Sequence, residues 1–185
     1  MENKYNYIPE DMKALKRFIG WRKERRKDTV AKLPFSLIDG QGIGWNKPNR
    51  LLDFEAAKDK NHPLGFVLAD EDHIICVDLD QAIVGGSLTD MAQSIVENFK
   101  GSYMELSQSG KGIHVFCKGK LLDNLIKPSE GIEIYKHNRY IALTGDVGDG
   151  SYFPISNQLL DKQEVLDELY KKWTQDKVSI KSQIK

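Results

Sequence analysis

Residues 73–81, "HIICVDLDQ", decide how this chain is read. The stretch begins apolar and ends by placing Asp78 and Asp80 two positions apart. On a β-strand side chains alternate, so Ile74, Cys76, Asp78 and Asp80 share one face while Ile75, Val77 and Leu79 share the other. The second face is wholly apolar and needs a cover, which helices would supply. The first face turns from apolar to acidic along its length, so the strand is expected to run from a core into an open cleft. Two like charges there repel each other unless something positive lies between them. The residues leave two partners open: a Lys or Arg side chain, or a divalent cation. For the cation, ligands that are all oxygen favour Mg²⁺ or Mn²⁺ over Zn²⁺.

Two further runs repeat the pattern. In "GIHVFCKG" (112–119), Ile113, Val115 and Cys117 alternate against His114 and Phe116; in "GIEIYK" (131–136), Ile132 and Ile134 alternate against Glu133 and Tyr135. Three strands that each carry an apolar face and one chemically capable residue predict a single functional face bearing Asp78, Asp80, His114 and Glu133. Immediately before His114 lies "SQSGKG" (107–112). Its hydroxyls, glycines and lysine suit a tight turn whose backbone N–H groups, with Lys111, hold an anionic phosphate. An ordinary polar hairpin turn is the plainer alternative. It is not a Walker loop, because Glu105 stands where that pattern needs a glycine and Gly112 where it needs Ser or Thr.

The 185 residues are 40% hydrophobic and 29% charged, as expected of one soluble domain with a substantial core. The opening "MENKYNYIPED" lacks the apolar centre of a signal peptide, and no window is long enough to cross a bilayer. Cys76 and Cys117, the only cysteines, lie in apolar runs and read as buried free thiols, which implies a reducing, cytoplasmic setting. Net charge is zero, so the overall balance gives no support to nucleic-acid binding. The distribution is uneven. Residues 13–32 hold nine Lys/Arg against two acids, and 70–80 hold five acids and no Lys/Arg. The basic stretch is either a solvated helix face or an electrostatic footprint for phosphates beside an acidic site.

Along the chain, Pro9, Glu10 and Asp11 start a helix over 9–19 with Met12, Leu15, Phe18 and Ile19 on one face and Gly20 as its stop. "TVAKLPFSLIDGQGIGW" reads as two extended segments about Asp39-Gly40. Asp53 caps a short helix, and "LGFVLAD" and "HIICVDLD" read as adjacent strands. Ser87 or Thr89 caps a helix reaching Phe99, followed by strands "YMELSQ", "GIHVFCKG" and "GIEIYK", the last running on to "RYIALTG". A last helix opens at Asn157 and packs Leu166, Leu169, Tyr170 and Trp173, leaving 176–185 as a tail or linker. The regular βαβ beat is missing. The fold class expected is α+β, a mostly antiparallel sheet with helices on one face.

These residues resemble the archaeo-eukaryotic primase superfamily, and within it the primase–polymerase (PrimPol) domains of phage and plasmid replication proteins. The resemblance rests on "VDLD" (Asp78, Asp80), "SQSGKGIH" (to His114) and "GIEIY" (Glu133). Around them stand "GW" at 20–21, "AKLPF" at 31–35, Trp45, "LGFVLAD" and "RYIALTG". It covers about residues 18–150, and the order and spacing of "SGKGIH" is its most specific part. The Cys/His zinc module that some relatives insert is missing from the sequence.

The resemblance implies a catalytic domain over 1–175, with a small N-terminal α/β unit to about 60 and an RNA-recognition-motif-like (RRM-like) core from about 61. It implies template-directed DNA primase/polymerase activity during replication of a phage or mobile element, with DNA template and primer and with NTP or dNTP substrates. Asp78, Asp80 and Glu133 would hold two Mg²⁺ or Mn²⁺ ions. His114 would meet the nucleotide's phosphates, helped by Ser107, Ser109 and Lys111, while Lys32 and Arg139 match triphosphate or template contacts by position only. A fused or separate helicase is the implied partner, and no membrane is involved. Three other readings stand beside this one. The first is a nucleotide- or DNA-binding module of the same fold without catalysis. The second is a haloacid-dehalogenase-type (HAD-type) phosphatase with Asp78 as nucleophile. The third is a metal nuclease, against which Tyr135 stands where its motif needs lysine.

Overall fold

Alternating apolar runs leave rows of backbone donors and acceptors to be paired, and here they pair into two antiparallel sheets that share a core. The computed structural model describes residues 4–26 and 29–182, with backbone alone at 26, 29 and 175–182. Its elements are α1 (Glu10–Lys13), β1 (Phe18–Arg26), β2 (Thr29–Phe35), α2 (Phe54–Lys58), β3 (Leu64–Leu68) and β4 (Ile74–Leu79). They continue as β5 (Ile83–Val84), β6 (Ser87–Leu88), α3 (Asp90–Asn98), β7 (Met104–Leu106) and β8 (Ile113–Lys118). The chain ends with β9 (Leu125–Lys127), β10 (Ile132–Tyr135), β11 (Arg139–Ala142) and α4 (Gln163–Ser182). One sheet has the order β11-β3-β1-β2 and the other β7-β8-β4-β10-β9, with β5 and β6 a separate small hairpin.

The alternation within β4 explains the layering. Ile74 and Cys76 pack with Phe116 and Tyr135 of their own sheet against Phe18, Leu64, Phe66 and Ile141 of the other. Phe18 sits edge-on to both Phe54 and Phe66, with ring centroids 5.3 and 5.4 Å away. Ile75, Val77 and Leu79 face the opposite way and are covered by Ala92, Ile95 and Val96 of α3 and by Leu166, Leu169 and Trp173 of α4. The fold is thus α+β and mostly antiparallel, with helices over one face of the five-stranded sheet. Thr89 caps α3 by accepting from the Ala92 N–H, and Asp53 caps α2 by accepting from Ala56. Among the described residues, no helix is long and apolar enough to cross a membrane.

Several local expectations are corrected. The helix expected over 9–19 is one turn, α1, and Phe18 and Ile19 instead open β1, where Phe18 joins the inter-sheet core and Ile19 packs with Leu51 and Val67. Gly20 does not stop a helix. It lets two strands close up, since a Cβ there would lie 2.6 Å from the Phe35 ring. Asp39-Gly40 does form a turn, with Gly40 N–H bonded to Ser36 O at 2.8 Å, but no strand follows it before Trp45. β3 and β4 follow each other yet lie in different sheets, as do β10 and β11. The chain crosses between sheets at 69–73 and returns at 136–138, and a Lys136–Asp70 ion pair of 2.8 Å joins the two crossings. The four-stranded sheet therefore draws strands from both sides of residue 60. α4 starts at Gln163, six residues after Asn157, because Gln158 and Leu160 carbonyls are engaged by the N–H groups of Tyr103 and Lys118. Its backbone stays helical into the segment expected as a tail.

Candidate active site

Strand register builds the site. Glu105 of β7 pairs with His114 of β8, His114 with Asp78 of β4, and Asp78 with Glu133 of β10. Directly opposed residues in antiparallel strands project from the same face, with Cβ atoms about 4.5–5.5 Å apart. Four polar side chains therefore form one row across four strands, on the face turned toward the other sheet. Asp80 follows two residues beyond Asp78, exposed at the open end, its N–H bonded to Gly131 O at 2.9 Å. Asp78, His114 and Glu133 were anticipated from alternation; Glu105 was not.

The other sheet roofs this row. The β1–β2 hairpin sets Lys23 directly opposite Lys32, a like-charge pair that neighbouring strands tolerate poorly. Lys23, Val30 and Lys32 face Asp78, Asp80, His114, Ser107 and Ser109 across a cavity of about 370 Å³. An adjoining space of about 170 Å³ is lined by Lys32, Asp78, His114 and Arg139. Lys32 and Arg139, matched by position alone, thus both reach the cleft, and Lys23 is an addition. The Tyr140 hydroxyl, its pKa pushed up to about 12 by burial, donates to Lys32 O at 2.6 Å and fastens the hairpin's edge to β11. A larger cavity of about 890 Å³ lies beyond the 107–110 loop and contains none of the four residues of the row. Asp78, Asp80 and His114 open onto the smaller cleft.

His114 is 2% exposed, with Nδ1 2.8 Å from Glu105 Oε1 and Nε2 3.8 Å from Asp78 Oδ1. Burial is the largest influence on its pKa and opposes the charge. The hydrogen bond to Glu105 and the Asp78 charge outweigh it, so the imidazole's pKa is raised. Glu133 accepts a hydrogen bond from Tyr135 Oη at 2.5 Å and lies 3.9 Å from the Arg139 guanidinium, which itself stands over the Tyr135 ring. Burial, followed by that hydrogen bond, pushes the Tyr135 phenol well up.

Of its two readings, the "SQSGKG" turn has the hydrogen bonds of the plainer one, a polar turn closed on itself. Ser107 Oγ accepts from Gly112 N–H, Ser109 Oγ accepts from Lys111 N–H, and Gly110 N–H is bound to Ser107 O. Those three backbone donors serve the turn itself; Ser107 and Ser109 line the cleft, while Lys111 is exposed and does not. Gly112 is required by close approach: a Cβ there would lie 2.6 Å from Leu79 O.

Asp78 and Asp80 line the cleft, and Glu133, opposite Asp78 in the ladder, lines neither cavity; the donor chemistry of the three, all carboxylate oxygen, suits a hard divalent cation. Among the described residues, no three His, Cys, Asp or Glu side chains are already gathered into a metal cluster. The Glu133 carboxylate, turned onto Tyr135, would have to swing away to join the two aspartates.

No family model matches the chain. Over 154 residues it is 32% identical to the DNA Primase-polymerase of Nitratiruptor phage NrS-1, a match covering 75% of this chain and 21% of that protein. The chain thus spans about a fifth of the length of this curated relative. The resemblance read from "VDLD", "SGKGIH" and "GIEIY" is thereby borne out: the chain is related, over three quarters of its length, to a phage DNA primase-polymerase.

Proposed function

We propose that this chain carries template-directed nucleotidyl transfer, adding NTPs or dNTPs to a primer on a DNA template. The observation that carries this reading is that Asp78 and His114 share two adjoining cavities with Lys23, Lys32 and Arg139, while Glu133 stands next to Asp78 in register and near Arg139. The relative's name supports the same activity. Asp78, Asp80 and Glu133 would hold Mg²⁺ or Mn²⁺. Bound there, such ions supply charge neutralisation and Lewis acidity for an in-line displacement at phosphorus. The chain's own groups do the rest. His114 Nε2, Ser107 and Ser109 hold the phosphates from the floor and side, and Lys23, Lys32 and Arg139 hold them from the roof. Packing below the row, at Cys76 and Phe116, closes the inner end of the cleft to water. The exposed Arg22 and Arg25 extend the positive charge of the hairpin outward, where template phosphates would make binding salt-sensitive.

The test is extension of a labelled primed template with Mg²⁺ or Mn²⁺ by the wild type and by the Asp78→Ala, Asp80→Ala double variant. Extension is expected to fall to background in the variant with the unfolding temperature little changed. A variant that extends at the normal rate overturns the carboxylate assignment. A wild type that binds nucleotide and DNA yet never extends reduces the chain to a binding module.

A further inference from the structure

Among the described residues, Glu105 is the one fully buried carboxylate. Its surroundings are all donors. Oε2 accepts from the Tyr103 hydroxyl at 2.7 Å and from Gly145 N–H at 2.9 Å, and Thr144 N–H lies 3.2 Å from both oxygens. The remaining neighbour is His114 Nδ1, 2.8 Å from Oε1. An ionised carboxylate only accepts, so this contact requires the proton on Nδ1. The ring's other nitrogen, Nε2, is then aimed at the cleft beside Asp78. Backbone pairing between Glu105 and His114 fixes the distance between them, and the 144–145 segment that grips Glu105 follows directly on β11, the strand that carries Arg139 into the roof.

We propose that Glu105 is a positioning residue for His114: it accepts from Nδ1–H and so holds the ring with Nε2, the nitrogen that donates to the nucleotide's phosphates, turned to the cleft. The proposal rests on the reading of this cleft as the nucleotide site. It differs from a purely structural role, in which Glu105 would only anchor residues 144–145. Glu105→Gln separates the two. The amide oxygen still accepts from Gly145 and Tyr103, while the amide nitrogen donates to Nδ1, which then carries no proton and leaves a neutral ring with Nε2–H alone, a weaker phosphate donor.

Two measurements are made on the protein without divalent ions. The first is the ¹⁵N spectrum of the His114 ring, in which Nδ1 is expected to carry a hydrogen-bonded proton in the wild type and none in E105Q. An unchanged ring pattern overturns the proposal. The second is dNTP affinity in wild type, E105Q, H114A and the double variant. E105Q is expected to weaken binding about tenfold, equivalent to roughly 1.4 kcal/mol, and to add nothing once His114 is gone. An equal loss from E105Q with and without His114 overturns the proposal in favour of a backbone role. If H114A alone leaves affinity unchanged, the nucleotide reading of the cleft fails, and the ring spectra still decide whether Glu105 holds the Nδ1 proton. Should E105Q fail to fold, Glu105→Asp keeps the charge but withdraws it from Nδ1, and its ring pattern and affinity are read in the same way.

Discussion

His114 lies between two carboxylates inside a nearly closed interior, so its protonation is a contest between burial and charge. The charged form wins, and the sign of the consequence follows. The folded protein holds this proton to higher pH than the unfolded chain, whose histidine titrates near about 6.5. The stabilisation is therefore complete below that value and is lost as pH rises through the folded pKa. In denaturant titrations without divalent ions, the stability advantage of wild type over His114→Gln should shrink as pH rises from mildly acid to alkaline; a constant advantage would show that charge plays no part. At this scale Asp78, His114 and Glu133 were legible because each interrupts an apolar alternation. Glu105 obeys the same rule, flanked by Met104 and Leu106, but an acid in a three-residue strand looks solvent-facing until its ladder partners are known. Lys111, close to His114 in sequence, is exposed and does not line the cleft.

Elements were read well where a cap or strict alternation marked them, as with Thr89 before α3 and Asp53 before α2. The failure at 9–19 came from two periods sharing the same residues. Met12, Leu15, Phe18 and Ile19 fit a helical face, yet Phe18 and Ile19 also begin the strand alternation of β1, and strand pairing on both sides of β1 prevails. Alternation also reveals that a strand exists without naming the ladder it joins, so β3 and β4 were placed side by side. The turn before β8 offers an element-scale test. Gly112→Ala would drive a methyl group into Leu79 O and Ser107 Oγ. A loss of about 1–3 kcal/mol in urea unfolding is expected, together with weaker dNTP binding as the serines shift; unchanged values of both would mean the turn relaxes freely.

At the scale of the whole molecule, site and core are two ends of one inter-sheet layer. Phe66 is fully buried in that layer, whereas Ile95 lies in the separate layer beneath α3. Truncation of either to alanine should cost about 2–5 kcal/mol, read by chemical unfolding. Only Phe66→Ala should also weaken dNTP binding, because it loosens the packing that holds roof to floor; equal affinity in the two variants would separate the cleft from the core. The α+β class was legible because the pattern lacked βαβ units. The division into two sheets was not, since it depends on crossings at 69–73 and 136–138 that carry no distinctive signal. The hairpin's lysines and the acidic row have one more consequence. The gap between them is polarised, positive on one wall and negative on the other, and such a gap sorts molecules by the layout of their charge more than by its amount. A bare polyanion is drawn to one wall and pushed off by its counterpart. A molecule that turns opposite charges to the two sides is welcomed by both.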